Sequence, residues 1–233
     1  MRTDPETALR YAPVLYFDEA ETIFPRAVGV TVFREERKSD SFPKRIITLP
    51  EGAACVIEYA YYFDYDIGHM YDLEHIWVTV GNDGEPLAAE GSFHGKYLNL
   101  LVPEIPGALR PREKRVQAFC QPGKHAFLPA GALFRLVPGW DSCCREAGGP
   151  VLIGNPFSAE YAPGGKDLFV PERRDDAHSI RYLREQLAFE PTLRFRERPL
   201  EKSLYRPWKE LFRQIPGWIR QECRRLNELY GEE

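Results

Sequence analysis

Two long runs of β-branched and aromatic residues limit the possible folds of this chain more than any other feature. They lie on either side of one short acidic segment. Residues 54–63 (ACVIEYAYYF) and 73–80 (LEHIWVTV) are rich in Val, Ile and Tyr, a composition that predicts two strands. The following Asn82-Asp83-Gly84 is typical of a hairpin turn, so residues 86–93 are predicted to return as a third strand. The rest of the chain therefore has to build a sheet around these runs.

Further short apolar runs at residues 14–17, 28–33 and 114–120 are also predicted to be strands. The segments between them carry turn residues, and residues 138–167 are predicted to be mostly loop. Short strands separated by turns favour a β-sandwich, jelly-roll-like, over alternating βαβ units. We therefore predict one β-sandwich domain over residues 1–170.

The C-terminal residues 171–233 have a different pattern. Apolar residues at helical spacing predict helices over 175–187, 200–212 and 217–230, with a break at Pro216. The opposite faces are rich in Arg and Lys, so this helical extension is expected to pack on the sandwich. An alternative is that it contacts a membrane surface or a protein partner. No apolar run of 18 residues occurs, so no membrane span is expected.

Charge and cysteine usage narrow the function classes. The net charge of −4 does not favour nucleic acid as the main partner, because phosphate binding requires a basic surface. The N-terminal residues include acids where a signal peptide has an apolar core, so a cytoplasmic location is expected. The five cysteines show no CxxC spacing and predict neither a disulfide framework nor a zinc knuckle.

The segment between the two long strands is dense in side chains that can bind a metal, namely Asp64, Asp66, His69, Asp72, Glu74 and His75. Because side chains alternate along a strand, Asp72 and Glu74 share one face and His75 lies on the other. His69 can reach the same place from the Gly68 turn, and either Asp64 or Asp66 can approach from the preceding strand. Oxygen ligands with one imidazole favour Mg²⁺, Ca²⁺ or Mn²⁺.

Two further histidines lie at strand ends outside this segment. His94 follows the third strand, and His125 lies in a loop after residues 114–120. We predict that both converge on the same rim of the sandwich, where three histidines together would favour Zn²⁺. His178 is interpreted as a surface residue.

Several segments resemble those of one known family. GHMYDLEHIWV resembles the GHRHDWEHVVV signature of the necrosis- and ethylene-inducing-like proteins (NPP1-like), whose superfamily includes proteins related to vacuolar protein sorting 62. SFHGKY, PGKHAF and YAPVLYFDEAETIFP resemble further segments of that family, in the same order. The resemblance implies a β-sandwich that holds a divalent cation near one end. By motif position, the resemblance implies that the cation ligands are His69, Asp72, Glu74 and Asp64, with Asp66 as second choice for Asp64. It also implies that His94 and His125 line the same cavity.

The chain also departs from that family. Tyr71 replaces the second histidine of the signature and Leu73 replaces its tryptophan. The family's secretion signal and disulfide are not found, and a helical tail is added. The family's toxins act outside cells on plant membrane glycolipids, an action that is not expected of a cytoplasmic chain.

Three functions follow from these features. The first is a cation-dependent site that holds a polar ligand such as a sugar, a phosphate or a lipid headgroup. The second is a metal-dependent hydrolase, in which the cation lowers the pKa of a bound water and His94 or His125 acts as acid or base. Lys124 or Lys96 would then stabilise developing negative charge. The third is a scaffold with a structural metal. The sequence does not decide whether the protein is an enzyme or a binding protein.

Overall fold

Two mixed β-sheets face each other in this computed structural model, which describes residues 4–42, 44–105, 109–110, 114–148 and 169–231. The helices are α1 (Asp4–Tyr11), α2 (Arg173–Tyr182) and α3 (Trp208–Tyr230). The strands are β1 (Val14–Asp18), β2 (Ala27–Phe33), β3 (Arg37–Lys38), β4 (Ile46–Ile47), β5 (Ala53–Tyr65), β6 (Met70–Gly81), β7 (Pro86–Phe93), β8 (Lys96–Asn99), β9 (Leu109–Arg110), β10 (Arg115–Cys120), β11 (Phe127–Leu128), β12 (Phe195–Glu197) and β13 (Tyr205–Pro207).

The larger sheet has six strands in the order β13-β2-β5-β6-β7-β8. The smaller sheet has the order β11-β10-β1-β12, with β9 paired to β10, and β3 and β4 form a separate hairpin. The sheets are open and pack against each other, and a long C-terminal helix is added. This confirms the predicted class, a mainly β sandwich with a helical C-terminal part.

The two faces of the larger sheet cover different partners because side chains alternate along β5. Tyr61 faces the smaller sheet and its ring lies 5.4 Å from that of Phe127 in β11. Tyr62 faces the other way and packs on Trp218 of α3, at 5.5 Å between ring centroids. Gly29 in β2 also faces α3, where an added Cβ would lie 2.6 Å from the Trp208 ring, so glycine allows the helix to approach closely.

The C-terminal residues supply strands as well as helices. Residues 200–212 are not one helix as predicted: they form a 3-10 turn, β13, and the start of α3. The predicted break at Pro216 is also wrong, because α3 runs without interruption from Trp208 to Tyr230. Pro216 is buried with Leu211, Ile215 and Ile219 against the sheet, and this packing outweighs the one backbone donor that proline lacks.

Strands β12 and β13 tie the C-terminal part into the sandwich. Strand β12 pairs antiparallel with β1, and β13 pairs parallel with β2, so each of the two sheets receives one strand from the tail. The predicted division at residue 170 stays a prediction, and most of the loop predicted at 138–167 lies outside the described residues. Of the helices in the described ranges, none is both long and apolar enough to cross a bilayer.

Candidate functional site

The hairpin of β5 and β6 carries the acidic side chains to the interior of the sandwich. In its register Asp72 lies opposite Phe63 and Glu74 opposite Tyr61, so both acids share the face that packs on the smaller sheet. His75 lies opposite Ala60 and points to the other face. The assignment of faces made from strand alternation is therefore confirmed. We use the name acid cluster for Asp66, Asp72, Glu74, Lys124 and His125.

Glu74 is half-buried in the acid cluster, beside Ser92. Its Oε2 accepts a hydrogen bond from the Ser92 hydroxyl of the neighbouring strand β7. Burial raises the pKa of Glu74 well above its usual value, and the nearby Asp72 and Asp66 carboxylates raise it further. The ionised form of this carboxyl is therefore disfavoured unless a positive charge enters the cluster.

His125 is fully buried in the loop between β10 and β11, where its backbone is left-handed with φ 58°. Its ring stacks on Phe63 with 3.9 Å between centroids, and its Nδ1 lies 3.3 Å from Asp72 Oδ2. The other ring nitrogen, Nε2, is buried without a hydrogen-bond partner, 4.0 Å from Glu21 Oε2. A buried nitrogen left unpaired is costly, so this atom is available to a proton, a ligand or a cation.

Asp66 closes the turn between the two strands and holds the only ammonium group of the cluster. Its Oδ1 accepts the backbone N–H of His69 at 2.8 Å and that of Gly68 at 2.5 Å, while Oδ2 accepts from Lys124 Nζ at 2.8 Å. Burial acts to raise the pKa of Asp66, but the neighbouring His69 and Lys124 lower it below its usual value. Asp66 is therefore an ionised, nearly buried carboxylate that Lys124 neutralises.

Asp64 lies apart from the cluster. Its side chain points to the face that α3 covers, where Arg26 Nη1 contacts it at 3.0 Å and Arg26 stacks over Trp218. Asp64 and Asp66 were both predicted as ligands from the preceding strand, with Asp64 first. The structure brings Asp66 to the cluster instead, because Asp66 begins the turn and is free of the strand's alternation.

The other predicted histidines lie at the edge of the cluster. The Nδ1 of His69 lies 2.9 Å from the carbonyl oxygen of Tyr71, and its Nε2 lies 3.5 Å from Asp66 Oδ2. His94 is exposed, with its Nε2 2.7 Å from Oε1 of the buried Gln121. The backbone N–H of Gln121 bonds to Ala126, so His94 rests on the loop that carries His125.

Sequence reasoning missed two buried partners of the cluster, Glu21 and Ser92. Glu21 Oε1 accepts the N–H groups of Thr22 and Ile23, and Oε2 accepts that of Gly123 at 2.7 Å. It thereby fixes the loop before His125 from a distant part of the chain. Ser92 carried a weak signal, since its position beside His94 placed it near the end of the third strand, but nothing in the sequence marked Glu21.

The donor atoms suit a hard divalent cation, yet they are not arranged around one. The three carboxylates of the cluster, with the imidazoles of His125 in it and His69 at its edge, are ligand types that such cations take. However, no three His, Cys, Asp or Glu side chains in the described ranges form a group ready to hold a metal ion. Lys124 donates a hydrogen bond to Asp66 and Ser92 donates one to Glu74, while His125 Nδ1 lies next to Asp72 Oδ2. A cation would therefore have to displace Lys124.

His75 belongs to a second buried group on the opposite face of the larger sheet. Its ring stacks on Trp77 at 5.3 Å, and Phe42 meets it edge-on at 5.2 Å. Burial lowers the pKa of His75 to about 3, with a smaller contribution from the charge of Arg45 and an opposing one from the Ser41 backbone. Neither of its two ring nitrogens makes a well-formed hydrogen bond. His75 therefore lies on the face that strand alternation predicted for it, away from the acid cluster.

We expect His75 to make the protein less stable in acid. The native pKa of His75 is about 3, below the 6.5 of an exposed histidine. Between these two pH values the unfolded chain binds a proton at His75 and the native state does not. The free energy of unfolding should fall as pH drops below 6.5, by up to about 1.4 kcal/mol per pH unit until the native pKa is reached. Urea denaturation of wild type and His75→Phe between pH 7 and pH 4 measures this. Parallel pH profiles for the two proteins would contradict it.

A separate groove of 730 Å³ lies between α1, β2 and the start of α3. Its lining includes Leu9, Val30 and Trp208, and no member of the acid cluster contributes to it. This groove and the acid cluster are therefore in different places. The chemistry of the acid cluster has to take place at the turn side of the β5–β6 hairpin.

The fold and this site define a class of protein: an open, mixed β-sandwich with a buried acid cluster at the turn of its central hairpin. No protein-family model matches the sequence, and no curated protein matches it either. Among solved structures, NLPPya in complex with glucosamine has a TM-score of 0.36 and 17% identity, over 52% of this chain and 64% of that chain. NLPPya in complex with mannosamine has a TM-score of 0.35 and 18% identity over the same shares.

A third similar structure is described as "Toxin fold as basis for microbial attack and plant defense", with a TM-score of 0.34 and 17% identity over 52% of this chain and 66% of that chain. The matched regions span less than two thirds of each of these solved chains. NLPPya is a necrosis- and ethylene-inducing-like protein, the family that the sequence motifs resemble. At these scores the similarity assigns neither a family nor an activity to the chain. The relation to proteins of vacuolar protein sorting 62 type stays a prediction.

Proposed function

We propose that the protein binds a divalent cation at the acid cluster and that the cation holds a polar ligand, such as a sugar, a phosphate or a lipid headgroup. The observation that carries this proposal is the placement of Asp66, Asp72 and Glu74 close enough to raise the pKa of Glu74. Of the charges that shift the pKa of Glu74 most, Asp72 and Asp66 raise it and Lys124 lowers it. Like charges that repel in this way favour the entry of a cation.

The chemistry of the donors supports Mg²⁺, Ca²⁺ or Mn²⁺ as the cation. Asp66, Asp72 and Glu74 would hold it through oxygen atoms, and His69 or His125 would add a nitrogen. With both imidazoles engaged, Zn²⁺ becomes the better fit. The bound cation would neutralise the carboxylates and present a positive charge to an oxygen-bearing ligand.

The turn side is where a ligand can reach the cluster. The side chains of Lys124, His69 and Asp72 are 24%, 22% and 15% exposed, whereas Tyr61 and Phe63 are fully buried. The aromatic residues of β5 are therefore core and are not free to stack on a sugar. A ligand would have to be recognised through polar contacts and the cation.

The experiment that tests this proposal compares two identical substitutions on opposite faces of the hairpin. Calorimetric titration with Mg²⁺, Ca²⁺, Mn²⁺ and Zn²⁺ is expected to show that wild type binds at least one of them. Asp72→Asn should weaken that affinity by about tenfold or more, equivalent to 1.4 kcal/mol. Asp64→Asn should bind like wild type, because Asp64 lies on the face covered by α3. Lack of binding by wild type, or equal losses in both variants, would count against the site.

The contact between His125 and Asp72 supports a second function, hydrolysis. A carboxylate that faces a histidine nitrogen is the arrangement that orients a general base. His94 is exposed in the turn between β7 and β8, and its Nε2 lies 2.7 Å from Gln121 Oε1 in the loop that carries His125. A screen with phosphatase, esterase and glycosidase substrates tests this, with His125→Ala and His94→Ala compared. No turnover by wild type on any substrate, together with cation binding, would leave the binding function.

A further inference from the structure

Two adjacent cysteines, Cys143 and Cys144, lie next to the acid cluster in a segment that the proposed function does not use. Their Sγ atoms are 3.7 Å apart. Cys143 is partly exposed and Cys144 is fully buried. The other cysteines, Cys55, Cys120 and Cys223, are all buried, so Cys143 is the thiol that a solute can reach first.

The buried partner supports the loop of the acid cluster. Cys144 Sγ lies 3.2 Å from the carbonyl oxygen of Pro122 and 3.7 Å from Cys143 Sγ, so its single S–H can donate to either of these acceptors. Gly123, the next residue, has a left-handed backbone with φ 67°, and a Cβ added there would lie 3.0 Å from Cys144 Sγ. Gly123 also accepts the backbone N–H of Ile67 at 2.6 Å, which joins this loop to the turn of the β5–β6 hairpin. The sulfur of Cys144 is therefore a close packing contact of the segment that carries Lys124 and His125.

We propose that Cys143 and Cys144 form a redox modification site that reacts with a peroxide to give a reversible disulfide between adjacent residues. The Cys143 sulfur attacks one peroxide oxygen, the O–O bond breaks, and Cys143 becomes a sulfenic acid as one water leaves. The Cys144 sulfur then attacks the Cys143 sulfur, the S–O bond breaks, and a second water leaves. Two thiols and one hydrogen peroxide thus give one disulfide and two waters, and a thiol donor reverses the reaction.

The surroundings of Cys143 favour the reactive thiolate. The hydrogen bond with Cys144 lowers the pKa of Cys143, burial opposes this, and the nearby Lys124 ammonium lowers it further. Adjacent cysteines form a strained disulfide, and strained disulfides are easily reduced. The product is therefore suited to a reversible modification rather than to a permanent cross-link.

The modification should also loosen the loop that carries the acid cluster. To reach Cys143, the Cys144 sulfur has to leave the Pro122 carbonyl and its contact with Gly123. Amide hydrogen exchange of residues 121–126 is therefore expected to become faster on oxidation and to return on reduction. This readout does not depend on whether the cluster binds a cation.

The test is oxidation of the full chain with dilute hydrogen peroxide, followed by intact and peptide mass measurement. Wild type should lose two hydrogen atoms, mapped to Cys143–Cys144, and regain them with dithiothreitol. Cys143→Ser should be oxidised at least about tenfold more slowly, because the exposed thiolate governs the rate. Cys144→Ser should stop at a sulfenic acid that dimedone labels at Cys143, and Cys223→Ser should behave like wild type.

A second measurement keeps the test independent of the folding of these variants. Phenylarsine oxide, which bridges two thiols, should form a 1:1 adduct with wild type that withstands excess monothiol and is released by dithiol. Disulfide-linked dimers, dimedone labelling that persists in wild type, or arsenical binding that Cys143→Ser leaves intact would each overturn the proposal.

Discussion

Replacing Lys124 with methionine is expected to lower the free energy of unfolding by about 2–3 kcal/mol without divalent cations, and a bound cation is expected to restore most of it. The substitution removes the ammonium that pairs with Asp66 at 2.8 Å. Asp66 is 6% exposed, so its carboxylate would lose the Lys124 ammonium while remaining largely out of water. The backbone N–H groups of Gly68 and His69 still solvate it, which holds the loss at the lower end of the range for a broken buried pair.

The same substitution is expected to strengthen cation binding. In wild type a cation has to displace the Lys124 ammonium from Asp66, whereas in Lys124→Met that competitor is gone. An affinity about tenfold higher corresponds to 1.4 kcal/mol, well within the electrostatic energy of a partly buried pair. Stability and affinity should therefore change in opposite directions, a result that general damage to the fold does not produce.

Urea denaturation with and without saturating cation, together with calorimetric titration, measures both effects. Lys96→Met is the matched control, because Lys96 is an exposed lysine of the edge strand β8. It should leave stability and cation affinity near their wild-type values. If Lys124→Met loses stability and also loses cation affinity, Lys124 is a ligand-binding residue and not a competitor of the cation.

Replacing Glu74 with glutamine is expected to stabilise the cation-free protein and to abolish its cation binding. The native pKa of Glu74 is raised by burial and then by Asp72, so the native state keeps a proton that the unfolded chain releases as pH rises above 4.5. The stability associated with that proton is complete below the unfolded pKa and is lost as pH rises toward the raised native pKa. Glutamine is neutral at every pH and can still accept from Ser92, so it avoids this loss.

Glu74→Gln should raise the free energy of unfolding by about 1 kcal/mol or more at neutral pH. This is the usual cost of burying an ionisable group without an adequate partner. The difference from wild type should be small near pH 4 and grow toward pH 8, as measured by urea denaturation at each pH. Glu58→Gln is the control for binding, because Glu58 is also a buried carboxyl with a raised pKa but lies on the Trp77 face. Cation binding that survives Glu74→Gln and fails in Glu58→Gln would reverse the assignment.

The positions of the central strands and the faces of Asp72, Glu74 and His75 followed from the sequence alone. Both are local properties: β-branched and aromatic runs favour strands, and alternation is set by the backbone of a single strand. The helical periodicity after residue 171 was equally visible, and it correctly predicted α2 and most of α3. The predicted break at Pro216 failed because burial of one helix face on the sheet outweighed a local rule.

Only the tertiary structure decided which charges meet. Asp66 rather than Asp64 joins the cluster because the turn after β5 redirects the chain, and Lys124 reaches it from a loop 58 residues away. Glu21 and Cys144 hold that same loop from opposite directions in the sequence. A strand's own residues determine which way its side chains point, but the loops that converge at one end of a sandwich depend on how its sheets pack. The segment between the two long strands thus supplied the acids, and the fold supplied the ammonium that neutralises them.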